Sequence, residues 1–128
     1  MGHSSIHQWG AEQLFHISSV DGMTNGLKLP VVLQMSCFTG SFHYPDFDGL
    51  DETLIRHEGG GAIGVWGSTG LGVSTGHDVL ADGFLHTYFR SNSGAQETLG
   101  QATLAGKAEL ALSRSTHLDL LDLSLIHI

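Results

Sequence analysis

The 128-residue chain holds a single cysteine, which excludes an internal disulfide and any zinc site built from several thiolates. Basic residues are nearly as scarce: 5 Lys+Arg stand against 13 Asp+Glu, a formal net charge of −8. A chain this acidic has no cationic stripe to neutralise phosphates, so neither nucleic acid nor a membrane is expected as a partner. Uncharged, basic or small partners suit it better. No apolar run reaches the length of a membrane-spanning helix, and the chain does not open with a basic segment followed by an apolar one, as a targeting signal does.

Metal and phosphate motifs are missing as well. His7 lies four residues after His3, with His16 and His43 further on. They form no HExxH pattern and have no acidic ligand at a fixed spacing, so solvated or packed histidines are expected and not a metal site. The glycine-rich stretch 69–76 lacks both the lysine of a P-loop and GxGxxG spacing, which makes it a loop beside a cleft rather than a phosphate cradle. No cofactor is expected.

What is present is a globular composition, 41% hydrophobic with a mean hydropathy of +0.07, enough for one core and so for one domain or part of one. The chain is organised around residues 29–40. Within it Val31, Val32, Leu33, Gln34 and Met35 are introduced by Pro30 and closed by small residues, which reads as a short buried strand. Cys37 sits where that strand ends. In an α/β sheet the carboxyl ends of strands open into the ligand crevice, which suits a reactive thiol; cysteine is equally at home in a core.

Residues 2–10 read as a loop, 11–15 as a helical turn, and 41–48 as a surface loop beside the cysteine. A helix is expected over 49–58, where Leu50, Leu54 and Ile55 share a face before three glycines stop it. A second buried strand follows over 62–67, then helices over 77–90 and 97–113. Strand, helix, strand, helix, helix predicts a parallel sheet with covering helices, and two strands are too few for such a sheet alone. The chain is therefore expected to be a fragment. Residues 123–128 match the translated end of a sequencing-library adapter, so native coding is expected to end near Asp122, with no folding role for the tail.

The pattern of Gly2-His3-Ser4-Ser5, then Ser36-Cys37-Phe38-Thr39-Gly40, resembles the gingipain-type cysteine peptidases, relatives of the caspases. The likeness continues through Gly49-Leu50-Asp51-Glu52, Gly60-Gly61-Ala62-Ile63-Gly64-Val65, Thr69-Gly70-Leu71-Gly72, Gly76-His77-Asp78 and Leu99-Gly100-Gln101-Ala102. It implies a caspase-like three-layer α/β sandwich with a mainly parallel sheet, of which residues 1–122 are the carboxyl-terminal part of the catalytic domain. The rest of that domain, including a carboxylate that orients the histidine, is expected outside this chain. By the same resemblance the parent enzyme is extracellular or cell-surface and acts on protein or peptide substrates.

Carried over by motif, the resemblance makes Cys37 the nucleophile and His3 the catalytic histidine. Ser4 and Cys37 supply the backbone N–H donors of the oxyanion hole, and Thr39, Gly40, Thr69, Gly70 and His77 line the substrate cleft. A thiolate attacks, an imidazole moves the proton, and amide hydrolysis divides into acylation and deacylation. Relatives carry glycine where this chain has Ser4; if that backbone needs positive φ, serine is strained or turns its donor away. Ser4 therefore motivates a rival reading, a disabled caspase-like binding or assembly module, and an intracellular regulatory protease is a further one. His77 and Asp78 line the cleft, or Asp78 serves the helix dipole; Glu52 serves its own helix. The acidic balance suits basic substrate side chains, with Asp46, Asp48, Asp51 and Asp78 unranked.

Overall fold

A computed structural model describes residues 3–72, 74–90, 97–113 and 124–127. The chain begins with a hairpin where residues 11–15 suggest a helical turn. Strand β1 (Gln8–Trp9) pairs antiparallel with β2 (Phe15–His16). Gly10 at φ 68 and Gln13 at φ 53 turn the chain back between them, and the Trp9 and Phe15 rings meet at 4.9 Å. Left-handed residues break a helix at those two points, and the ring pair holds the strands. A one-turn helix, α1 (Ile17–Val20), follows, with His16 Nδ1 accepting from Ser18 N at 3.1 Å.

Strand β3 (Val31–Gln34), helix α2 (Leu50–Arg56) and strand β4 (Gly64–Gly67) form the expected strand–helix–strand unit. β3 and β4 are parallel, with Val31 opposite Gly64 and Gln34 opposite Gly67, so both strands end on the same side. β5 (Ser124–His127) adds to β4 in the antiparallel sense. The tail for which the sequence assigns no folding role thus includes a sheet strand.

By its internal contacts the chain divides into residues 1–72 with 122–128, and residues 73–121. The core of the first unit is Val20, Leu50, Leu54, Ala62 and Val65, with Trp9, Phe15, Met23, Val32 and Ile55 packed against it. Leu50 and Leu54 lie one turn apart on α2, which is why that face turns inward. The second unit pairs α3 (Ser74–Arg90) with α4 (Leu99–Leu112). α3 is kinked near its start, where Thr75 and Gly76 are not helical and Gly76 has φ 111. Thr98 caps α4: its Oγ1 accepts from Gln101 N at 3.2 Å, while Gln101 Oε1 accepts from Thr98 N at 2.8 Å. A Cβ on Gly83 would stand 2.8 Å from Gly106 Cα, so the two helices cross closely enough to require glycine there. No helix among the described residues is long and apolar enough to cross a membrane.

Candidate active site

Because β3 and β4 end together, the loops that leave them, residues 35–49 and 68–72, run side by side. Phe38 N donates to Gly70 O at 2.9 Å and Gly40 N to Ser68 O at 3.0 Å. Ser41 Oγ donates to Thr69 O at 3.0 Å. Cys37 lies in the first of these loops, half-buried. Its Sγ accepts from Gly72 N at 3.3 Å and faces Gly72 O at 3.5 Å. These two contacts fix the sulfur against the Gly72 backbone. Phe38, next in the chain, has φ 61; for a bulky side chain that conformation costs ~1–3 kcal/mol and is held by the bonds around it.

The amino-terminal loop reaches the same place. Ser4 Oγ donates to Cys37 O, which joins the segment carrying His3 to the Cys37 loop. Ser4 bridges Trp9 in the antiparallel sense, flanked by Ser5 N to Gln8 O at 2.9 Å and Gly10 N to His3 O at 2.8 Å. In that type of pair the bridging residue's own N–H points away from the partner strand, so the Ser4 N–H is not spent on the hairpin. Nor is Ser4 at positive φ: among the described residues the non-glycines there are Gln13 and Phe38. The strain anticipated at Ser4 is absent, and the strained position is one after Cys37. His3 is exposed. The Cys37 sulfur bonds run to Gly72, and none joins it to the His3 imidazole.

The cleft residues expected from sequence divide between surface and interior. Thr69 and Gly70 are half-buried, whereas Thr39 and Gly40 are buried, Thr39 with no exposed surface at all. His77 is 2% exposed and belongs to the second unit. Asp78 Oδ1 accepts from Gly76 N at 2.9 Å and Val79 N at 3.0 Å. These bonds hold its carboxyl below the ordinary carboxylate range, which makes it a cap for its helix. Glu52 is likewise a cap, its Oε2 accepting from Gly49 N at 2.9 Å. Asp48 pairs with Arg56 at 2.7 Å on the surface, and Asp46 is exposed. Among the described residues no group of His, Cys, Asp or Glu is arranged to hold a metal ion.

Asp51, unranked from sequence beside Asp46, Asp48 and Asp78 as a group for basic substrate side chains, is fully buried. Its Oδ1 accepts from Gln34 Nε2, and Gln34 Oε1 accepts from Trp9 Nε1. An indole can only donate, so the orientation of the Gln34 amide is fixed and its NH2 must face Asp51. Asp51 N donates to Thr39 O at 3.2 Å. Oδ2 and Thr39 Oγ1 border the same small space and neither has a partner in hydrogen-bond geometry, so the hydroxyl acts on the carboxyl as a neighbouring dipole. Burial pushes the Asp51 carboxyl up to about 7, against the opposing pull of Thr39 and Gln34 and with a small push from Glu52. A sequence signal existed: on a helical wheel Asp51 falls inside the arc of Leu50, Leu54 and Ile55.

The half-buried Cys37 thus stands at the carboxyl end of a parallel strand pair, where the crevice of an α/β sheet opens. The chain belongs to peptidase family C25, whose model matches residues 1–126. Its fold is that of the Arg-specific cysteine proteinase gingipain R, with a TM-score of 0.85 and 21% identity over 98% of this chain and 30% of that one. The complex of pro- and mature domains of RgpB from Porphyromonas gingivalis gives a TM-score of 0.84 at 22% identity, covering 98% of this chain and 31% of that one. The caspase-like α/β fold expected from the sequence is thereby established, and the chain spans less than a third of either relative. No curated protein matches the chain.

Proposed function

We propose that this chain carries the nucleophile and the acid–base histidine of a cysteine endopeptidase, Cys37 and His3. The observation that carries the reading is the Gly72 N–H directed at Cys37 Sγ at 3.3 Å, within a chain of a cysteine peptidase family. Ser4 supports it by having no positive φ and an N–H that is not spent on the hairpin. An imidazole–thiol contact often tightens only when substrate binds, so an exposed His3 is compatible with the role.

In the acylation step Cys37 Sγ attacks the scissile carbonyl carbon and forms an S–C bond. His3 takes the proton of the Cys37 thiol, the oxyanion is held by the N–H groups of Ser4 and Cys37, His3 gives that proton to the leaving amine, and the C–N bond breaks to a thioester. Water then attacks the thioester, His3 takes its proton and passes it to Cys37 Sγ, and the C–S bond breaks to release the carboxylic acid product and the thiol. Substrates are proteins or peptides, and the parent enzyme works outside the cell or at its surface.

A second reading is favoured by one observation: Ser4 Oγ is bound to Cys37 O, a contact that glycine cannot make and that suits a disabled binding module. Reaction of the full-length protein with an electrophilic peptide probe separates the two. Cys37-dependent labelling, lost in Cys37→Ala and at least 100-fold slower in His3→Ala, is the expected result; equal labelling of wild type and Cys37→Ala refutes the peptidase reading. Labelling gained only with Ser4→Gly identifies a disabled copy.

A further inference from the structure

We propose that Asp51 is a positioning residue for this site, holding the hairpin that carries His3 against the loop that carries Cys37 by way of Gln34 and Trp9. The inference rests on the peptidase reading above.

Three segments converge on one buried carboxyl. Gln34, 3% exposed, is the last residue of β3 and stands three positions before Cys37. Trp9 bridges Ser4, and its neighbour Gly10 bonds His3 O at 2.8 Å. Asp51 thus reaches the His3 hairpin through side chains and the Cys37 loop through its own N–H on Thr39 O. Space for the carboxyl is built in: a Cβ on Gly67 would lie 2.1 Å from Asp51 Oδ2, and one on Gly40 would lie 3.1 Å from it. A capped surface helix does not require an acid at this position, and α2 already has Glu52 on Gly49 N.

The protonation state follows from what faces the group. β3 presents Gln34; the nucleophile loop presents Thr39 and Gly40, with Cys37 its titratable member; β4 presents Gly67; the hairpin presents Trp9, with His3 beyond it. On α2 the nearby charge is Glu52, which opposes ionisation, and Arg56 is committed to Asp48. With no cation facing it among the described residues, Asp51 is a neutral acid at mildly acidic pH and ionises near neutrality. A buried carboxylate of this kind draws in water and loosens the contacts that hold it. The lock therefore weakens as pH rises through about 7.

The test compares the full-length wild type with Asp51→Asn and Trp9→Phe in hydrolysis of a peptide substrate from pH 6 to 8.5. Asn keeps a neutral acceptor for Gln34, so the ratio of kcat for Asp51→Asn to wild type should be near 1 at pH 6 and rise at least fivefold by pH 8.5, with KM within twofold. The Trp9 indole N–H resonance should titrate near pH 7 in wild type and stay fixed in Asp51→Asn. Trp9→Phe, which cuts the link without touching the carboxyl, should lower kcat at pH 6 and carries the test if Asp51→Asn does not fold. Cys37-dependent turnover with a flat ratio, or with a Trp9 resonance that does not titrate, overturns this inference alone. Absence of any Cys37-dependent turnover overturns the peptidase reading and this inference with it.

Discussion

Asp51→Asn should change how stability depends on pH. The carboxyl is fully buried and raised from 3.8 to about 7. Below pH 3.8 it is protonated in both the folded and unfolded chain and contributes no pH dependence. Between the two values the unfolded chain releases this proton and the folded one keeps it, so stability falls as pH rises by about 1.4 kcal/mol per pH unit. Above about 7 both states are ionised and the slope vanishes. From pH 5 to pH 8 the loss comes to roughly 2–3 kcal/mol, comparable with a large core truncation. Asn cannot ionise, and the other titrating groups are common to both proteins, so the variant's stability minus that of the wild type should rise by that amount over the interval. Urea unfolding at pH 5, 6, 7 and 8 measures it. Parallel curves for the two proteins would show that the carboxyl is solvated or paired with a cation, and would refute a buried, neutral Asp51.

Gly67→Ala places a methyl group 2.1 Å from Asp51 Oδ2 and 2.7 Å from Thr39 Oγ1, and should destabilise by ~1–3 kcal/mol; adding Asp51→Ala should restore part of that loss in a double-mutant cycle read by urea unfolding. Gly83→Ala, whose Cβ would meet Gly106 Cα at 2.8 Å, should lower Tm although alanine favours a helix by ~1 kcal/mol; a raised Tm would refute the close crossing. Thr98→Ala removes the cap on Gln101 N and should cost about 1 kcal/mol, with thermal unfolding as the measurement.

The elements that the sequence makes legible are those with a strong local pattern. Val31 to Gln34 and Gly64 to Gly67 are short apolar runs between breakers, and Leu50 and Leu54 repeat at helical spacing, so β3, β4 and α2 emerge from period and punctuation alone. The hairpin of residues 8–16 does not: two-residue strands carry no period, and its turn depends on Gln13 at φ 53, which no composition rule anticipates. The position of Cys37 is legible because it closely follows the apolar run of β3. Asp51 is illegible without its wheel position being taken seriously, because an acid in the first turn of a helix normally serves the dipole. In α2 Glu52 performs that service and frees Asp51 to turn inward. The burial of Thr39 and Gly40 is hidden for a related reason: they follow Cys37 in sequence, but their loop folds over Asp51 and Gly67 instead of facing outward.

The distribution of constraints around Cys37 also bears on which parts of the site are preorganised. Cys37 is fixed beside β3 and β4 through backbone bonds from Phe38 and Gly40, through Ser41, and through Gly72 on the sulfur itself. Those contacts depend on strand register, which the parallel pairing sets, and they position Sγ before any substrate arrives. His3 has no such support: it is exposed, and it is joined to the rest of the site through Ser4, Gly10 and the Trp9 relay. On the proposed peptidase reading, a rigid Cys37 and a His3 that hangs on a hairpin make a site most easily tuned at the hairpin, since small shifts there change proton transfer without disturbing the sulfur. The buried Asp51–Gln34–Trp9 chain acts on that less constrained half, which is where a positioning residue has the most effect.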